Sequence, residues 1–176
     1  MESVTPERLS LRPFERSDAD DLMMFMGDDR VARFCRFDTL TCREDGVKYL
    51  EEVAMPHPWY RAICLEGRAV GYIYVKMGTE ENHCRGEIGY ALAFKYWGQG
   101  IATLAVKMVM SSVFREFPHL VRLEALVDVE NKGSQRVLDK CGFLREGLLR
   151  KYCFLKGKTM DVFIYSVLST DPILLS

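Results

Sequence analysis

The chain has 176 residues, of which 48% are hydrophobic and 28% are charged, an ordinary composition for one globular domain. Its 24 Lys and Arg residues nearly balance its 25 Asp and Glu residues, so bulk charge does not indicate binding to nucleic acid or to a membrane surface. No apolar run approaches the roughly 20 residues that a membrane span needs, and the first residues lack the apolar segment of a secretory signal. We therefore expect one domain over residues 1–176 in the cytoplasm, with a nucleocytoplasmic location also open.

The cysteines and histidines do not have the spacing of a metal site. None of the six cysteines belongs to a C-x-x-C pair, and the three histidines are scattered along the chain. Cysteines this dispersed are more typical of buried thiols in a reducing compartment than of a disulfide framework. We expect no metal. The cysteines are Cys35, Cys42, Cys64, Cys84, Cys141 and Cys153.

The first half of the chain predicts a strand, two helices and a hairpin. The alternating segment RLSLRPF indicates a strand that ends at Pro13. SDADDLMMFMGDD then predicts a helix capped by Ser17, and TCREDGVKYLEEVA a second helix capped by Thr41. The segments WYRAICLE and AVGYIYVKM, on either side of the turn EGR, predict an antiparallel hairpin.

The second half alternates between strands and helices. GEIGYALAF predicts a strand, and a helix is expected from about Gly98 to Phe114, with apolar residues at spacings of three and four. LVRLEALVDV predicts a strand, NKGSQRVLDKC a short helix ending at Gly142, and LREGLLRKYCF and TMDVFIYSVL two last strands. This order predicts a mixed α/β (α+β) fold, a mostly antiparallel sheet with helices on both faces. The strand–helix–strand unit around the glycines should be parallel and right-handed.

Two glycines stand where the long helix should begin. A helix N-terminus leaves backbone N–H groups unpaired and carries partial positive charge, so it suits a phosphate. Gly98 and Gly100 remove side chains that would keep a diphosphate away, Ala102 keeps the first turn slim, and Thr103 adds a hydroxyl. The alternative is a tight connection that uses glycine only for its backbone angles. Because Thr103 stands where a third glycine would be, the segment is not a dinucleotide-binding fingerprint, and it is not a phosphate loop of the G-x-x-x-x-G-K-[ST] type.

Several segments together resemble the GNAT superfamily of acyl-CoA-dependent N-acetyltransferases. They are ERLSLRPFERSDADDL, WGQGIAT after EIGYAL, ENKGSQRVLDKCGF and DVFIYSVL, and the resemblance covers nearly the whole chain. Within the superfamily the chain resembles the Rim-type branch, which acetylates N-terminal amines of ribosomal proteins. The superfamily motif Q/R-x-x-G-x-G/A has Trp97 at its first position and Ala102 at its last, and both variants resemble the Rim-type branch.

The resemblance implies acetyl-CoA as the acyl donor and a sheet that splays apart at the CoA site. It implies that the amides of Gly98 to Thr103 hold the diphosphate and that backbone groups of Ala91 to Ala93 pair with the pantetheine arm and the acetyl carbonyl. We expect a bulge at Gly89. It also implies that Asn131 holds the pantetheine and that Ser134 gives a proton to the thiolate, although both residues also suit helix capping. The implied cofactor-binding residues are Ala91, Leu92, Ala93, Trp97, Gly98, Gln99, Gly100, Ile101, Ala102, Thr103, Asn131 and Ser134.

The candidate catalytic residues are Glu87 and Ser134. Alternation along GEIGYALAF places Glu87 on a face whose other residues are Gly89, Ala91 and Ala93, which leaves room for a ligand beside the carboxylate. Glu87 also stands where several family members carry a general base; the alternative is a solvated glutamate at a strand end. Glu124 is a rival, but an ion pair with Arg122 at the surface explains it better.

The chain departs from the family pattern at three positions. Leu138 stands where many members have an acidic tyrosine, Cys153 where some Rim-type enzymes have a glutamate base, and Leu104 where a glutamate is common. Cys153 is a structural thiol in this interpretation, because no activating base is evident in the sequence.

We predict an N-acetyltransferase that moves the acetyl group directly to a primary amine in a ternary complex. An α-amine has a pKa near 7.7–8.0 against about 10.4 for lysine, so a protein or peptide N-terminus suits a weak base. A polyamine or another small amine is an alternative, with an acidic entry at Asp18, Asp20, Asp21, Asp28 and Asp29. Two further alternatives are a non-catalytic acyl-CoA-binding module and a scaffolding protein without CoA. The basic segment LRKYCFLKGK suits an acidic peptide, ribosomal RNA or merely a solvated hairpin tip. We expect no direct nucleic-acid binding and no membrane contact, and a monomer or a homodimer.

Overall fold

Seven strands with helices around them make up the structure, a computed structural model that describes residues 5–172. The sheet is mostly antiparallel, so the predicted mixed α/β fold class is confirmed. The strands are β1 (Leu9–Arg12), β2 (Tyr60–Leu65), β3 (Arg68–Met77), β4 (Arg85–Leu92), β5 (Arg122–Asp128), β6 (Leu144–Leu155) and β7 (Lys158–Leu168). The α-helices are α1 (Ala19–Met26), α2 (Asp29–Ala32), α3 (Arg43–Tyr49), α4 (Ile101–Glu116) and α5 (Lys132–Lys140). None of the helices in the described range is long and apolar enough to cross a membrane.

The described residues form two compact units. The first unit comprises residues 5–75 and 89–105, and the second comprises residues 76–88 and 106–172. Strands β3 and β4 and helix α4 contribute residues to both units, so each unit combines two segments that are separate in the sequence.

In the first unit the strands follow the order β1, β2, β3, β4. β1 pairs antiparallel with β2, and β2 pairs antiparallel with β3, as the sequence of the hairpin predicts. The register between β2 and β3 shifts at a bulge between Ile63 and Cys64, and it places Tyr60 opposite Tyr74. These pairings bring aromatic residues of two strands onto one face of the sheet.

An aromatic cluster fills the core of the first unit. Its rings lie with centroids 5.3 to 6.5 Å apart, the separations at which aromatic pairs attract. Its buried hydroxyl groups are satisfied, because Tyr49 and Tyr60 share a hydrogen bond of 2.8 Å and Tyr72 donates to the Cys35 sulfur. Burial raises the pKa of Tyr60 and of Tyr72 well above the ordinary value. The cluster consists of Phe14, Phe25, Phe37, Tyr49, His57, Tyr60, Tyr72 and Tyr74.

In the second unit β4 runs parallel to β5, and β5, β7 and β6 follow as antiparallel neighbours. The parallel pairing of β4 with β5 confirms the prediction for the strand–helix–strand segment around the glycines. β6 is the last strand of the order, so one of its edges has no strand beside it within residues 5–172. Its register against β7 shifts between Leu149 and Cys153, where Asp161 of β7 accepts a hydrogen bond of 2.7 Å from the Lys151 amide.

Two predicted helix caps are wrong. A short 3₁₀ turn, Arg16–Asp18, precedes α1, and its capping box is formed by Glu15 and Asp18, whereas the Ser17 hydroxyl donates to the Glu15 carboxylate. Thr41 donates to Asp45 in the same way, and α3 begins after Cys42 without a side-chain cap. In both cases the hydroxyl donates a hydrogen bond to a nearby carboxylate. Such a charge-assisted hydrogen bond is stronger than the bond that a hydroxyl cap accepts from a backbone amide.

Asp18 joins the start of α1 to the first strand. The Arg12 guanidinium donates to both of its carboxylate oxygens, at 2.8 and 2.7 Å, and the Glu15 amide donates to one of them at 2.8 Å. Asp18 is only 5% exposed. Burial acts to raise the pKa of Asp18, but the hydrogen bonds from Arg12 and Glu15 outweigh burial and hold the pKa below its ordinary value.

We predict that Asp18→Ala lowers the free energy of unfolding by about 2–3 kcal/mol, because it leaves a partly buried arginine without its partner. Asp20→Ala is the matched control, since its carboxylate pairs with Arg43 while 74% exposed and should contribute less than about 1 kcal/mol. Urea unfolding of the two variants measures the difference. Equal losses would contradict a special role for the Asp18 contact.

Candidate functional site

The glycine turn, defined as residues 97–100, connects a short 3₁₀ helix to α4. Gly98 and Gly100 have φ angles of +74° and +81°, in the left-handed region that favours glycine. Their conformation therefore favours glycine whether or not a ligand binds. A β-carbon at either position would meet nothing within 4 Å. The space in front of both residues is thus open to a ligand as well.

The amides of the first helical turn follow directly. α4 begins at Ile101, and the Leu104 amide donates to the Gly100 carbonyl at 3.0 Å. The N–H groups of Ile101 and Ala102 come too early in the helix to have an acceptor one turn back. Sixteen residues of helix add their dipole behind these groups. The turn therefore has the geometry and charge of an anion-binding site.

Side chains hold the glycine turn against the end of β4. The Trp97 indole N–H donates to the Leu92 carbonyl at 2.8 Å, and the Gln99 amide donates to the Lys95 carbonyl at 2.8 Å. The centroids of the Phe94 and Trp97 rings lie 5.1 Å apart. The Phe94 ring also contacts the Arg30 guanidinium, which lies 3.8 Å from its centroid. Trp97, at the first position of the predicted motif, therefore fixes the shape of the turn.

The predicted pantetheine segment, Ala91 to Ala93, is partly engaged within the fold. The Ala93 amide donates to the Val70 carbonyl at 2.8 Å, and the Leu92 carbonyl already accepts from Trp97. The Ala91 carbonyl faces Gly71 so closely that a β-carbon at Gly71 would collide with it. Pairing of this segment with an acyl arm stays a prediction.

The small face of β4 does not leave open space, so that expectation is wrong. Ala91 and Ala93 are 9% and 1% exposed and belong to the core that contains the aromatic cluster. The Tyr74 ring lies over Gly89, where a β-carbon would come 2.5 Å from the phenol oxygen. Rings from β2 and β3 thus occupy the volume that the small residues leave. The bulge expected at Gly89 stays a prediction.

Glu87 lies opposite Glu124 in the parallel pairing of β4 with β5. Glu87 is half-buried. Glu124 accepts hydrogen bonds from Arg85 at 3.1 Å and from Arg122 at 2.8 Å, and its side chain is 12% exposed. The predicted Arg122–Glu124 ion pair is therefore confirmed, although it is more buried than a surface pair. A catalytic role for Glu87 stays a prediction.

The ion pair is part of a larger network in the second unit. Arg122 also donates to both oxygens of Glu146, at 2.9 and 2.6 Å, and the buried Ser166 hydroxyl donates to Glu146 at 2.7 Å. These hydrogen bonds from Arg122 and then Ser166 lower the pKa of Glu146 to about 2. The network joins β5, β6 and β7 by side chains in addition to their backbone pairing.

Asn131 and Ser134 meet at the start of α5. The Asn131 side-chain oxygen accepts a hydrogen bond of 3.0 Å from the Ser134 amide, so Asn131 is the N-cap of the helix. Both side chains are half-buried. The capping interpretation of Asn131 is confirmed, and the implied contacts with pantetheine and sulfur stay predictions.

The structure thus brings the predicted residues together in two groups. Residues 91–103 meet in the first unit through the Trp97 and Gln99 hydrogen bonds, and Asn131 meets Ser134 in the second. Among the departures, Leu138 is fully buried and Cys153 is half-buried opposite Met160. No group of three or more His, Cys, Asp or Glu residues among those described could hold a metal ion.

The sequence did not identify Tyr74 as the residue whose ring lies over Gly89 of β4. Its signal was present, because alternation in AVGYIYVKM places Tyr72 and Tyr74 on one face of β3, but nothing in the sequence gives the register that seats a ring on Gly89.

Comparison with known proteins gives a consistent result. The family description "Acetyltransferase (GNAT) domain" matches residues 8–144. The chain is 32% identical to the uncharacterized N-acetyltransferase p20 of Bacillus licheniformis, over 97% of this chain and 98% of that protein. It is similar in structure to a GNAT-family acetyltransferase of Bacillus anthracis, with a TM-score of 0.84, 27% identity and coverage of 97% of this chain and 100% of the other. It is also similar to RimJ of Mycobacterium smegmatis in complex with CoA-disulfide, with a TM-score of 0.78, 26% identity and coverage of 92% and 82%.

The Glu146 network makes a prediction about acid stability. Because the folded-state pKa of Glu146 is about 2 and its ordinary value is 4.5, the ionised carboxylate stabilises the fold above pH 4.5, and this contribution is lost as the pH falls towards 2. Glu146→Gln should flatten the dependence of Tm on pH over that range. The effect is reduced by solvent, since the side chain is 36% exposed. Glu81→Gln, at an exposed residue, is the control and should leave the pH profile unchanged.

A second prediction concerns the cap of α5. Asn131→Ala removes the acceptor of the Ser134 amide and should cost about 1 kcal/mol in free energy of unfolding. Asn131→Asp keeps an oxygen at the same place, and a negative charge at a helix N-terminus is favourable, so its stability should match or exceed that of the parent protein. Thermal unfolding of both variants tests this, and an equal loss in both would mean that the amide nitrogen, rather than the capping oxygen, is what the fold needs.

Proposed function

This chain belongs to the GNAT family of acetyltransferases, whose acyl donor is acetyl-CoA, and we propose that its acceptor is the α-amine of a protein or peptide N-terminus. The proposal treats residues 1–176 as one cytoplasmic N-acetyltransferase domain that transfers the acetyl group directly within a ternary complex. A Rim-type protein, RimJ of Mycobacterium smegmatis, is among the similar structures, at 26% identity.

The observation that carries the acetyl-CoA part of the proposal is the open glycine turn. Gly98 and Gly100 combine positive φ angles with empty space where side chains would stand, directly before the N-terminus of a 16-residue helix. Any side chain at these positions would occupy the approach to the amides. The residues present therefore fit the diphosphate of acetyl-CoA, with the amides of Gly98 to Thr103 as donors.

Acetyl-CoA supplies an activated thioester carbonyl, and the residues of this chain supply positioning and proton transfer. The glycine turn binds the diphosphate, and the Asn131 amide nitrogen, left over from capping, donates to the pantetheine. A Glu87 oxygen takes a proton from the acceptor ammonium, directly or through water, because only the neutral amine is a nucleophile. The Ser134 hydroxyl would supply the proton that the thiolate sulfur takes up, and it would be reprotonated by the second proton that the acceptor nitrogen loses once the amide bond forms.

The charges of the first unit favour an α-amine over a polyamine. An acidic entry would need carboxylates available to a polycation, yet each candidate carboxylate already has a partner within the fold. Pairing of this kind reduces the field that would attract a polyamine. The pairs are Asp18 with Arg12, Asp20 with Arg43, Asp21 with Arg68, Asp28 with Arg30, and Asp29 with the Thr39 hydroxyl.

A non-catalytic acyl-CoA-binding module is the second candidate. It is favoured by one departure, Cys153 at a position where some Rim-type enzymes have a glutamate base. Such a module would bind acetyl-CoA through the same glycine turn and would not acetylate any amine.

The test combines calorimetric binding of acetyl-CoA with turnover on a panel of tripeptides, spermidine and N-acetyl-lysine amide. Gly100→Glu should abolish detectable binding, because it places a bulky anion in front of the amides. Gly157→Glu is the matched control: Gly157 has a φ of +80° and equally open space, but it lies in the β6–β7 turn, so the variant should bind as the parent does.

Three results separate the candidates. Binding with turnover of tripeptides above the other amines supports the proposal. Binding without turnover of any amine supports the non-catalytic module. Turnover of spermidine in preference to peptides would overturn the proposed acceptor while leaving the acetyltransferase intact.

A further inference from the structure

Gly89 forms a notch in β4 that the end of the Tyr74 side chain fills. A β-carbon at residue 89 would lie 2.5 Å from the Tyr74 hydroxyl oxygen and 2.6 Å from a ring carbon, so no other residue fits without moving the ring. Glycine inside a strand weakens it, and such a glycine often marks a place where another group approaches closely. The approaching group here is a phenol hydroxyl, which comes directly above the strand backbone.

The aromatic cluster holds Tyr74 in this orientation. The Tyr60 ring is stacked against it with centroids 5.5 Å apart, the Tyr72 ring is stacked at 6.2 Å, and the His57 ring lies at 5.9 Å. His57 is fixed in turn, because its Nδ1 accepts a hydrogen bond of 3.1 Å from the Trp59 amide. A ring with neighbours on several sides has little freedom to turn, so the hydroxyl is held in place before any ligand arrives.

Tyr74 lies at the half-buried edge of the cluster. Tyr60 and Tyr72 are 5% and 6% exposed, whereas Tyr74 is half-buried, as are Tyr49 and His57. Buried Tyr60 and Tyr72 share their hydroxyl groups with Tyr49 and Cys35 inside the cluster. The cluster therefore has a closed interior and a half-buried edge, and Tyr74 is the residue of that edge that lies over β4.

The position of Gly89 connects this edge with the acyl-CoA site. β4 continues from Gly89 to Leu92, whose carbonyl is bonded to Trp97 of the glycine turn. At about 3.3 Å per residue, Gly89 lies about 10 Å along the strand from Leu92. All of these residues belong to the first unit. An acyl chain that starts at the glycine turn and follows β4 therefore has its reactive end towards Gly89.

We propose that Tyr74 is an acceptor-positioning residue, whose hydroxyl oxygen accepts a hydrogen bond from the N–H of the incoming primary amine. This inference rests on the proposed function. The hydroxyl orients the nitrogen and takes no part in proton transfer. Because the ring fills the notch at Gly89, little volume is left beside the nitrogen. The acceptor class is therefore an α-amine on a small first residue such as glycine, alanine or serine.

Tyr74→Phe tests the proposal with the least disturbance, because it removes one oxygen and keeps the ring on Gly89. We expect KM for the best tripeptide to rise about tenfold, as the loss of one hydrogen bond predicts, with KM for acetyl-CoA and Tm within twofold and 2 °C of the parent values. Calorimetric binding of the same tripeptide to the protein saturated with CoA should weaken by the same factor. This second measurement does not depend on turnover.

Tyr152→Phe is the matched control, since it makes the same change at a tyrosine that is 51% exposed and lies on β6 in the second unit. It should leave both KM values unchanged. Tyr74→Ala should widen the acceptor range towards leucine and phenylalanine as first residues, because it empties the notch. If Tyr74→Ala does not fold, Tyr74→Phe alone decides the matter.

The outcomes distinguish this inference from the proposed function. A parent protein that acetylates tripeptides while Tyr74→Phe leaves the tripeptide KM and binding unchanged overturns the role of Tyr74 alone. A rise in both KM values together with a lower Tm shows a structural role and also overturns it. A parent protein that turns over no amine overturns the proposed function, and the inference with it.

Discussion

The hydrogen bond from the Trp97 indole to the Leu92 carbonyl is the contact on which the arrangement of the first unit's site depends. β4 ends at Leu92 and α4 begins at Ile101, so the chain reverses direction within the eight residues between them. Two of these residues, Gly98 and Gly100, are in the left-handed region. The two glycines allow this backbone path but do not determine it, because glycine also allows many other backbone conformations. The indole selects it by tying the turn to the last residue of the strand. The amides at the start of α4 thus acquire a fixed direction without any bound ligand.

The aromatic cluster is the second source of order, and it packs against the same strand. β4 carries small residues where it meets β3, so rings from the neighbouring strands come close to its backbone. Close approach requires small side chains at the positions of β4 that lie under these rings, and Ile88, Tyr90 and Leu92 alternate with those positions. This division of volume explains why Gly89 and Ala91 lie where the neighbouring strands have tyrosine.

The sequence predicted those features that depend on local pattern. The strand and helix order, the parallel pairing of β4 with β5 and the glycine turn all follow from alternation, helical spacing and glycine positions. Features that depend on distant residues were predicted wrongly or not at all. Ser17 and Thr41 have the residue type of a helix cap, but each hydroxyl donates a hydrogen bond to a nearby carboxylate instead. The space beside Gly89 was expected to be open, because the register that brings Tyr74 onto it is set by pairings far away in the sequence.

The irregular part of β6 has a consequence for the behaviour of the protein at high concentration. This last strand exposes several large apolar side chains, among them Leu144 at 67% and Phe154 at 72%, and such an edge can recruit a strand from another molecule. Between Leu149 and Cys153, three residues of β6 lie opposite one residue of β7. Among them, Lys151 takes a φ of +49° and its amide donates a hydrogen bond to Asp161. A second chain would find no continuous row of donors and acceptors there, and it would also meet the positive charges of Arg150 and Lys151. The backbone geometry of this segment therefore disfavours fibrillar aggregation through this edge.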